Sequence, residues 1–155
     1  LANINSSGQF VISGHTGAVN NVVELAKEHG AKRALPLPVS APFHCSLMKP
    51  AADRLEEVLN QVPFTDLNIP LVNNAEADVL TSGEDARASL VRQVYKSVEW
   101  ERSMRVVLDA GVDTFIEVGP GKVLAGLLKR IEKKATCLNV FDAASLEKTV
   151  QALTA

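Results

Sequence analysis

The sequence predicts an α/β fold, and three observations carry that prediction. Segments rich in β-branched residues alternate with segments whose apolar residues recur at helical spacing. Glycines and prolines punctuate most of the junctions between them. The composition is that of an ordinary globular chain, 46% hydrophobic and 22% charged over 155 residues. Alternation of this kind argues for largely parallel strands connected by helices.

The elements follow in order. "GQFVISG", residues 8–14, reads as a short strand between glycines. "HTGAVNNVVELAKEHGAK" places Val19, Val22, Val23 and Ala26 on one helical face and stops at Gly30. "RALPLPVS" is extended, because each residue before a proline is pushed out of the helical region. The first 40 residues thus read as a β-α-β unit with its own character, a small subdomain distinct from residues 41–155. A helix over about Ser46–Gln61 carries Leu47, Ala51, Leu55, Val58 and Leu59. "NIPLVNNAEADV" is a strand running into a polar loop, and Ser82-Gly83-Glu84-Asp85 is a capping signal for a helix through Val94. A helix over Glu99–Ala110 ends at Gly111, and "VDTFIEVGPG" is a buried strand entering a tight turn. "KVLAGLLKRIEKKA" returns as a helix, "TCLNVF" is the last strand, and Ser145 caps a terminal helix.

Charge excludes some functions. Sixteen basic against 18 acidic residues give a net charge of −2, without a basic patch for nucleic acid or an anionic membrane. No apolar run approaches the ~20 residues a membrane span requires. Cys45 and Cys137 lie far apart with no CxxC spacing, which suits a reducing, cytoplasmic setting, although a single Cys45–Cys137 pair stays open. Leu1-Ala2-Asn3-Ile4-Asn5 has neither a signal peptide's character nor an initiator methionine, so the chain is expected to be a fragment or a processed product.

The chemistry-bearing candidates each have a plain alternative. "LPVSAPFHCSLMKPAADRL" fixes His44 in a proline-rich loop just ahead of a helix, where an imidazole titrating near pH ~6.5 can act as a general base. Isolated loop histidines are more often structural, and the adjacent Cys45 reads better as a small buried apolar group than as its partner. No second His or Cys cluster supplies a zinc site, so no metal is expected. "EVGPGKVL" sets Gly119 and Gly121 between a strand and a helix, but Pro120 removes a donor and the spacing fits no phosphate-binding fingerprint. A structural turn is the better reading. "NINSSGQ" gathers Asn3, Asn5 and Gln9, which suit either a polar ligand or an ordinary loop. Gln93 by itself passes as a surface glutamine, His15 and His29 as solvent-facing helix ends, and "KRIEKK" as a solvated face.

Taken in order, "NINSSGQFVISG", "AKRALPLPVSAPFHCSLMKPAADRL", "IPLVNNAEADV", "LVRQVYKSVEWERSM" and "FIEVGPGKVLAGLLKRI" closely resemble the malonyl-CoA:acyl-carrier-protein transacylases of bacterial type II fatty acid synthesis. The resemblance implies a large α/β-hydrolase-like subdomain with a smaller ferredoxin-like subdomain inserted in it. It implies a ping-pong reaction: a serine in a GHSxG elbow takes malonyl from CoA and passes it to the phosphopantetheine thiol of acyl carrier protein, with no cofactor. His44 matches the family's base, and Gln93 matches the residue whose backbone carbonyl orients the imidazole, where a Ser-His-Asp triad has an aspartate. Asn3, Asn5 and Gln9 match polar residues at the entrance for the CoA or carrier arm. Phe43 stands where a bulky aromatic accompanies malonyl rather than methylmalonyl.

No GxSxG occurs in the chain, and the arginine that would pair with the malonyl carboxylate belongs to the family's first half. The chain is therefore expected to be the second half of such an enzyme, beginning inside the small subdomain, inactive and poorly folded without its missing N-terminal half. Two alternatives accompany this reading: a non-catalytic module that binds carrier protein, and an acyltransferase domain of a larger polyketide or fatty acid synthase.

Overall fold

The computed structural model describes residues 1–154. Strands β1 (Asn3–Ser6) and β2 (Gln9–Val11) form an antiparallel hairpin. Gly8 closes its turn at φ 81°, a left-handed value that glycine adopts without steric cost. Helix α1 (Thr16–Glu28) follows, flanked by exposed His15 and His29 as its N-cap and C-cap. None of its residues is buried.

The expected β-α-β unit in the first 40 residues does not form. The order is β-β-α, because "NINS" is itself a strand paired with "QFV". Residues 31–45 run on without regular secondary structure, and the extended Leu35–Val39 finds no strand partner among the described residues. An extended segment becomes a strand only when a neighbour takes its N–H and C=O groups.

A 3₁₀ turn (Ser46–Met48) leads into α2 (Lys49–Leu59), with Pro50 in the first turn, where its missing N–H costs no intrahelical bond. Ala52 is fully buried as α2 packs against α3 (Gly83–Tyr95). Ser82 caps α3 as the sequence predicts, its hydroxyl accepting the Asp85 N–H at 3.3 Å. The strand expected near residue 70 is half of a second antiparallel hairpin, β3 (Leu71–Val72) with β4 (Val79–Leu80), which closes the polar loop 73–78.

Helix α4 (Trp100–Asp109) packs on β1, β3 and the later helix α5 (Val123–Ile131). The segment before α4 extends the first hairpin: Ile4 N donates to Val98 O at 2.9 Å, and Val98 N donates to Ala2 O at 2.8 Å. Strands β5 (Thr114–Val118) and β6 (Thr136–Val140) flank α5 and pair in parallel, Thr114 opposite Thr136 through Val118 opposite Val140. Among the described residues this is the one parallel pair in the three two-stranded sheets, beside a single isolated parallel bridge between Asn3 and Val98, so the expectation of largely parallel strands is corrected. Hairpin loops are short enough for antiparallel return, and only β5–α5–β6 has the crossover that parallel pairing needs.

β5 is not the buried strand expected from "TFIEV". It has β6 on one side alone, and Val118 is 79% exposed. Helix α6 (Ala143–Thr154) packs on β6. Its cap is Asp142 rather than Ser145. Asp142 Oδ1 accepts the Ser145 N–H at 2.7 Å and Ser145 Oγ accepts the Asp142 N–H at 2.9 Å, a reciprocal box in which serine holds the third helical position.

Candidate active site

The loop before α2 is shaped by its prolines and by local hydrogen bonds. Phe43 N donates to Ala41 O at 2.9 Å, Cys45 Sγ donates to Pro42 O at 3.2 Å, and Met48 N donates to Cys45 O at 2.9 Å. Between these bonds His44 takes a left-handed backbone, φ 59°. A residue with a Cβ sits there at a cost of about 1–3 kcal/mol, and such strain persists where surrounding contacts over-determine it. Cys45 is a free thiol turned to Pro42 O.

The left-handed turn brings His44 Nδ1 to 2.9 Å from the backbone oxygen of Gln93, 49 residues away in sequence. Gln93 lies in the last turn of α3, where the final four carbonyls have no partner within the helix, so its oxygen is open to an outside donor. A carbonyl can only accept. Nδ1 therefore carries the proton and donates it, which leaves Nε2 with its lone pair. An imidazole fixed in this tautomer can take a proton from a hydroxyl or thiol and return it.

The remaining candidates sit apart from that contact. Phe43 adjoins His44 and is exposed. Asn3 and Asn5 lie on β1, where the pairing register shifts between Ile4 and Ser6, and Gln9 opens β2. Their hairpin packs on α4 and α5, whereas His44 rests on α3. Gln9 Oε1 accepts a hydrogen bond from Arg130 of α5 at 2.5 Å. An apolar cavity of about 210 Å³ between α4, α5, β5 and β6 is lined by Trp100, Met104, Phe115, Leu128 and Cys137, and His44 does not line it.

The glycine turn after β5 is structural. Gly119 and Gly121 have φ of 137° and 91°, and Gly119 N donates to Val140 O at 2.9 Å. The first amides of α5 are already occupied: the Glu117 carboxylate accepts from Leu124 N at 3.1 Å and Ala125 N at 2.9 Å. Among the described residues no group of His, Cys, Asp and Glu is arranged to hold a metal ion. No described helix is long and apolar enough to cross a membrane.

Sequence reasoning missed a polar cluster behind Gln93. Asn73, 3% exposed, organises the 73–78 loop with its side chain. Its Oδ1 accepts from Glu76 N at 3.1 Å and Asp78 N at 3.0 Å, while Nδ2 donates to Ser89 Oγ at 2.9 Å and Glu76 Oε2 at 2.7 Å. The other Glu76 oxygen accepts from Arg92 Nε and Lys96 Nζ, both at 2.9 Å. Burial alone would raise the Glu76 pKa, but the hydrogen bonds and charges of Arg92 and Lys96 outweigh it and hold the carboxyl below its usual value. The same bond to Glu76 raises Arg92. The loop's abundance of Asn, Glu and Asp was visible in the sequence, but nothing there joined it to residues 92 and 96.

Comparison with known proteins gives a consistent answer. No protein-family model matches the chain. The malonyl CoA-acyl carrier protein transacylase of Bacillus subtilis is 47% identical over 153 residues, covering 99% of this chain and 48% of the relative. A solved acyl carrier protein S-malonyltransferase from Vibrio cholerae superposes with a TM-score of 0.91 at 47% identity, over 96% of this chain and 48% of that one. A malonyl-transacylase solved in complex with its type II polyketide synthase acyl-carrier protein gives 0.93 at 44% identity, over 97% and 49%. The relative and solved structures matched are all, by name, malonyl transacylases or malonyltransferases, a class of acyltransferase. Within that class the chain belongs to the malonyl CoA-acyl carrier protein transacylase family, and it spans about half the length of the curated relatives it matches.

Proposed function

We propose that this chain is the second half of an enzyme that moves a malonyl group from CoA to the phosphopantetheine thiol of acyl carrier protein, with His44 as general base. One observation carries the reading: the Nδ1–H of a left-handed His44 donates to the Gln93 carbonyl, leaving Nε2 free. The relatives' names and the structure solved with an acyl-carrier protein supply the substrate class.

In the proposed cycle Nε2 takes the proton of a serine from the other half of the protein as its oxygen attacks the malonyl thioester. The tetrahedral intermediate collapses, and the departing CoA sulfur leaves with that proton. Nε2 then deprotonates the carrier thiol, which attacks the acyl-serine ester and returns the proton to serine. The Gln93 carbonyl holds the ring and favours the imidazolium as an aspartate does in a triad, without bringing a full charge. Every reacting group is a side chain or substrate, so the cycle needs no cofactor or metal.

Asn3, Asn5 and Gln9 would meet the pantetheine or carrier arm, and exposed Phe43 would border the acyl pocket on the side that favours malonyl. Residues 1–40 would belong to a ferredoxin-like subdomain and 41–155 to an α/β-hydrolase-like one. The exposed edge of β5 is consistent with the chain lacking strands supplied by the remaining polypeptide. Two free thiols fit a reducing cytoplasm.

The test is His44→Ala in the full-length enzyme, followed by malonyl transfer to carrier protein. Loss of roughly 10²–10⁴-fold in turnover is expected, the usual contribution of a positioned acid–base group. Turnover within tenfold of the unmodified enzyme would remove His44 from this role.

A further inference from the structure

The contact that orients His44 is made by a backbone oxygen, so its position depends on how the last turn of α3 is held. Helix ends fray, and in this turn the one backbone bond from beyond the helix is Lys96 N–H to Arg92 O at 2.9 Å, which leaves the Gln93 carbonyl without a helical donor. Gln93 is bracketed by Arg92 one position before it and Lys96 three positions after it. Both side chains converge on one carboxylate oxygen of Glu76 at 2.9 Å. The other carboxylate oxygen is fixed by Asn73 Nδ2 at 2.7 Å.

Asn73 is in turn built into the fold. Its amide reaches Ser89 on α3, and its carbonyl accepts the Ser103 hydroxyl of α4 at 3.1 Å. The turn carrying Glu76 is strained: Ala77, buried, has φ 56°, a value that alanine avoids and that the two bonds to Asn73 Oδ1 enforce. The Glu76 side chain is 20% exposed against 35% for Arg92 and 43% for Lys96, so solvent partly screens both pairs and the clamp rests on their shared geometry.

We infer that Glu76 is a positioning residue for the transfer reaction, clamping the last turn of α3 through Arg92 and Lys96 so that the Gln93 carbonyl stays in line with His44 Nδ1. The inference rests on the proposed role of His44. It assigns Glu76 no contact with substrate. Released from the clamp, the turn would still be helical, but the carbonyl would sample positions that let the imidazole rotate. Misplacements of about 1 Å in a catalytic array can cost up to ~100-fold in rate.

The experiment uses the full-length enzyme with Glu76→Gln, Glu76→Asp, Glu84→Gln, His44→Ala and the double variant Glu76→Gln/His44→Ala. Glu84 pairs with Arg87 in the first turn of α3, so its removal deletes an ion pair from the same helix far from Gln93. The clamp predicts that Glu76→Gln lowers kcat about tenfold with KM for malonyl-CoA within about twofold, the pattern of a lost transition-state contribution. Glu76→Asp should restore part of the loss and Glu84→Gln should leave kcat unchanged. In the His44→Ala background Glu76→Gln should have no further effect, because its route to the reaction is already gone. Solvent exchange of the His44 Nδ1 proton, followed by NMR, should be faster in Glu76→Gln than in the parent.

Near-normal kcat in Glu76→Gln beside an inactive His44→Ala would overturn the clamp and leave the base assignment intact. An active His44→Ala would instead overturn the reading on which the clamp rests. An equal fractional loss from Glu76→Gln with and without His44 would show that Glu76 acts on the fold at large. Should Glu76→Gln not fold, Lys96→Met removes one arm from the more exposed side and must give a smaller fall of the same kind. Unchanged kcat there would count against the clamp as well.

Discussion

Replacing Gly83 by alanine tests the packing that seats α3, and here the general rule and the structure give opposite signs. Gly83 is the first residue of the helix, and alanine is ordinarily the better helix former by about 1 kcal/mol, less at a terminus. That advantage is chiefly the reduced freedom of the unfolded alanine chain. Against this, a Cβ at position 83 would lie 2.4 Å from Thr65 O, 2.6 Å from Thr65 C and 2.9 Å from Thr65 N. All three are backbone atoms, so no side chain can swing aside. Either the Thr65–Asp66 strand of chain or the start of α3 must shift by a sizeable fraction of an ångström. That shift also strains the Gly83 N–H bond to Asp66 Oδ1, 3.1 Å long, worth about 1 kcal/mol. Overpacking against rigid backbone costs about 1–3 kcal/mol and occasionally more. With the overlap this deep the upper part of that range applies, and the balance is a loss of about 2 kcal/mol. Urea denaturation of full-length Gly83→Ala, followed by circular dichroism, should show a lower midpoint at unchanged slope. A variant as stable as the parent, or more so, would mean that the approach to Thr65 relaxes freely and that the reasoning from contact distance fails here.

Two other outcomes follow from the loop behind the site. Asn73→Ala removes four side-chain hydrogen bonds inside the fold and strands two backbone N–H groups, so a loss of about 3–5 kcal/mol is expected in the same denaturation assay; less than about 1 kcal/mol would show that water replaces the asparagine. The Glu76 carboxyl sits below its ordinary value of 4.5 in the folded protein. Its contribution to stability is therefore fully present above that value and is lost as pH falls through the lower folded one, because the unfolded state takes up the proton first. Melting curves from pH 6 downward should fall less steeply for Glu76→Gln than for the parent, and parallel curves would argue against the paired carboxylate.

Much of this protein is decided by local sequence. Ser82 ahead of Asp85, Gly30 after α1, and the turn glycines 119 and 121 specify helix ends and turns through interactions spanning a few residues, and the helices fall where their periodicity places them. The order of motifs around His44 and Gln93 likewise made the family legible, because residue identity alone carries it. What local sequence did not decide is pairing. "NINS" reads as a polar loop by composition and becomes a strand because "QFV" and Val98 accept and donate to it from either side. "LPLPV" is extended by its prolines and "TFIEV" has strand composition, but how many partners each receives is set by segments that come from elsewhere in the fold. Asp142 rather than Ser145 caps α6, a choice between two adjacent capping types that geometry alone resolves. The left-handed turn at His44, the 2.9 Å contact with a carbonyl 49 residues away and the convergence of Arg92 and Lys96 on Glu76 exist only once α2, α3 and the β3–β4 loop have packed. Side-chain chemistry is written residue by residue, but an orienting carbonyl belongs to every residue alike, and only tertiary structure selects which one an imidazole meets.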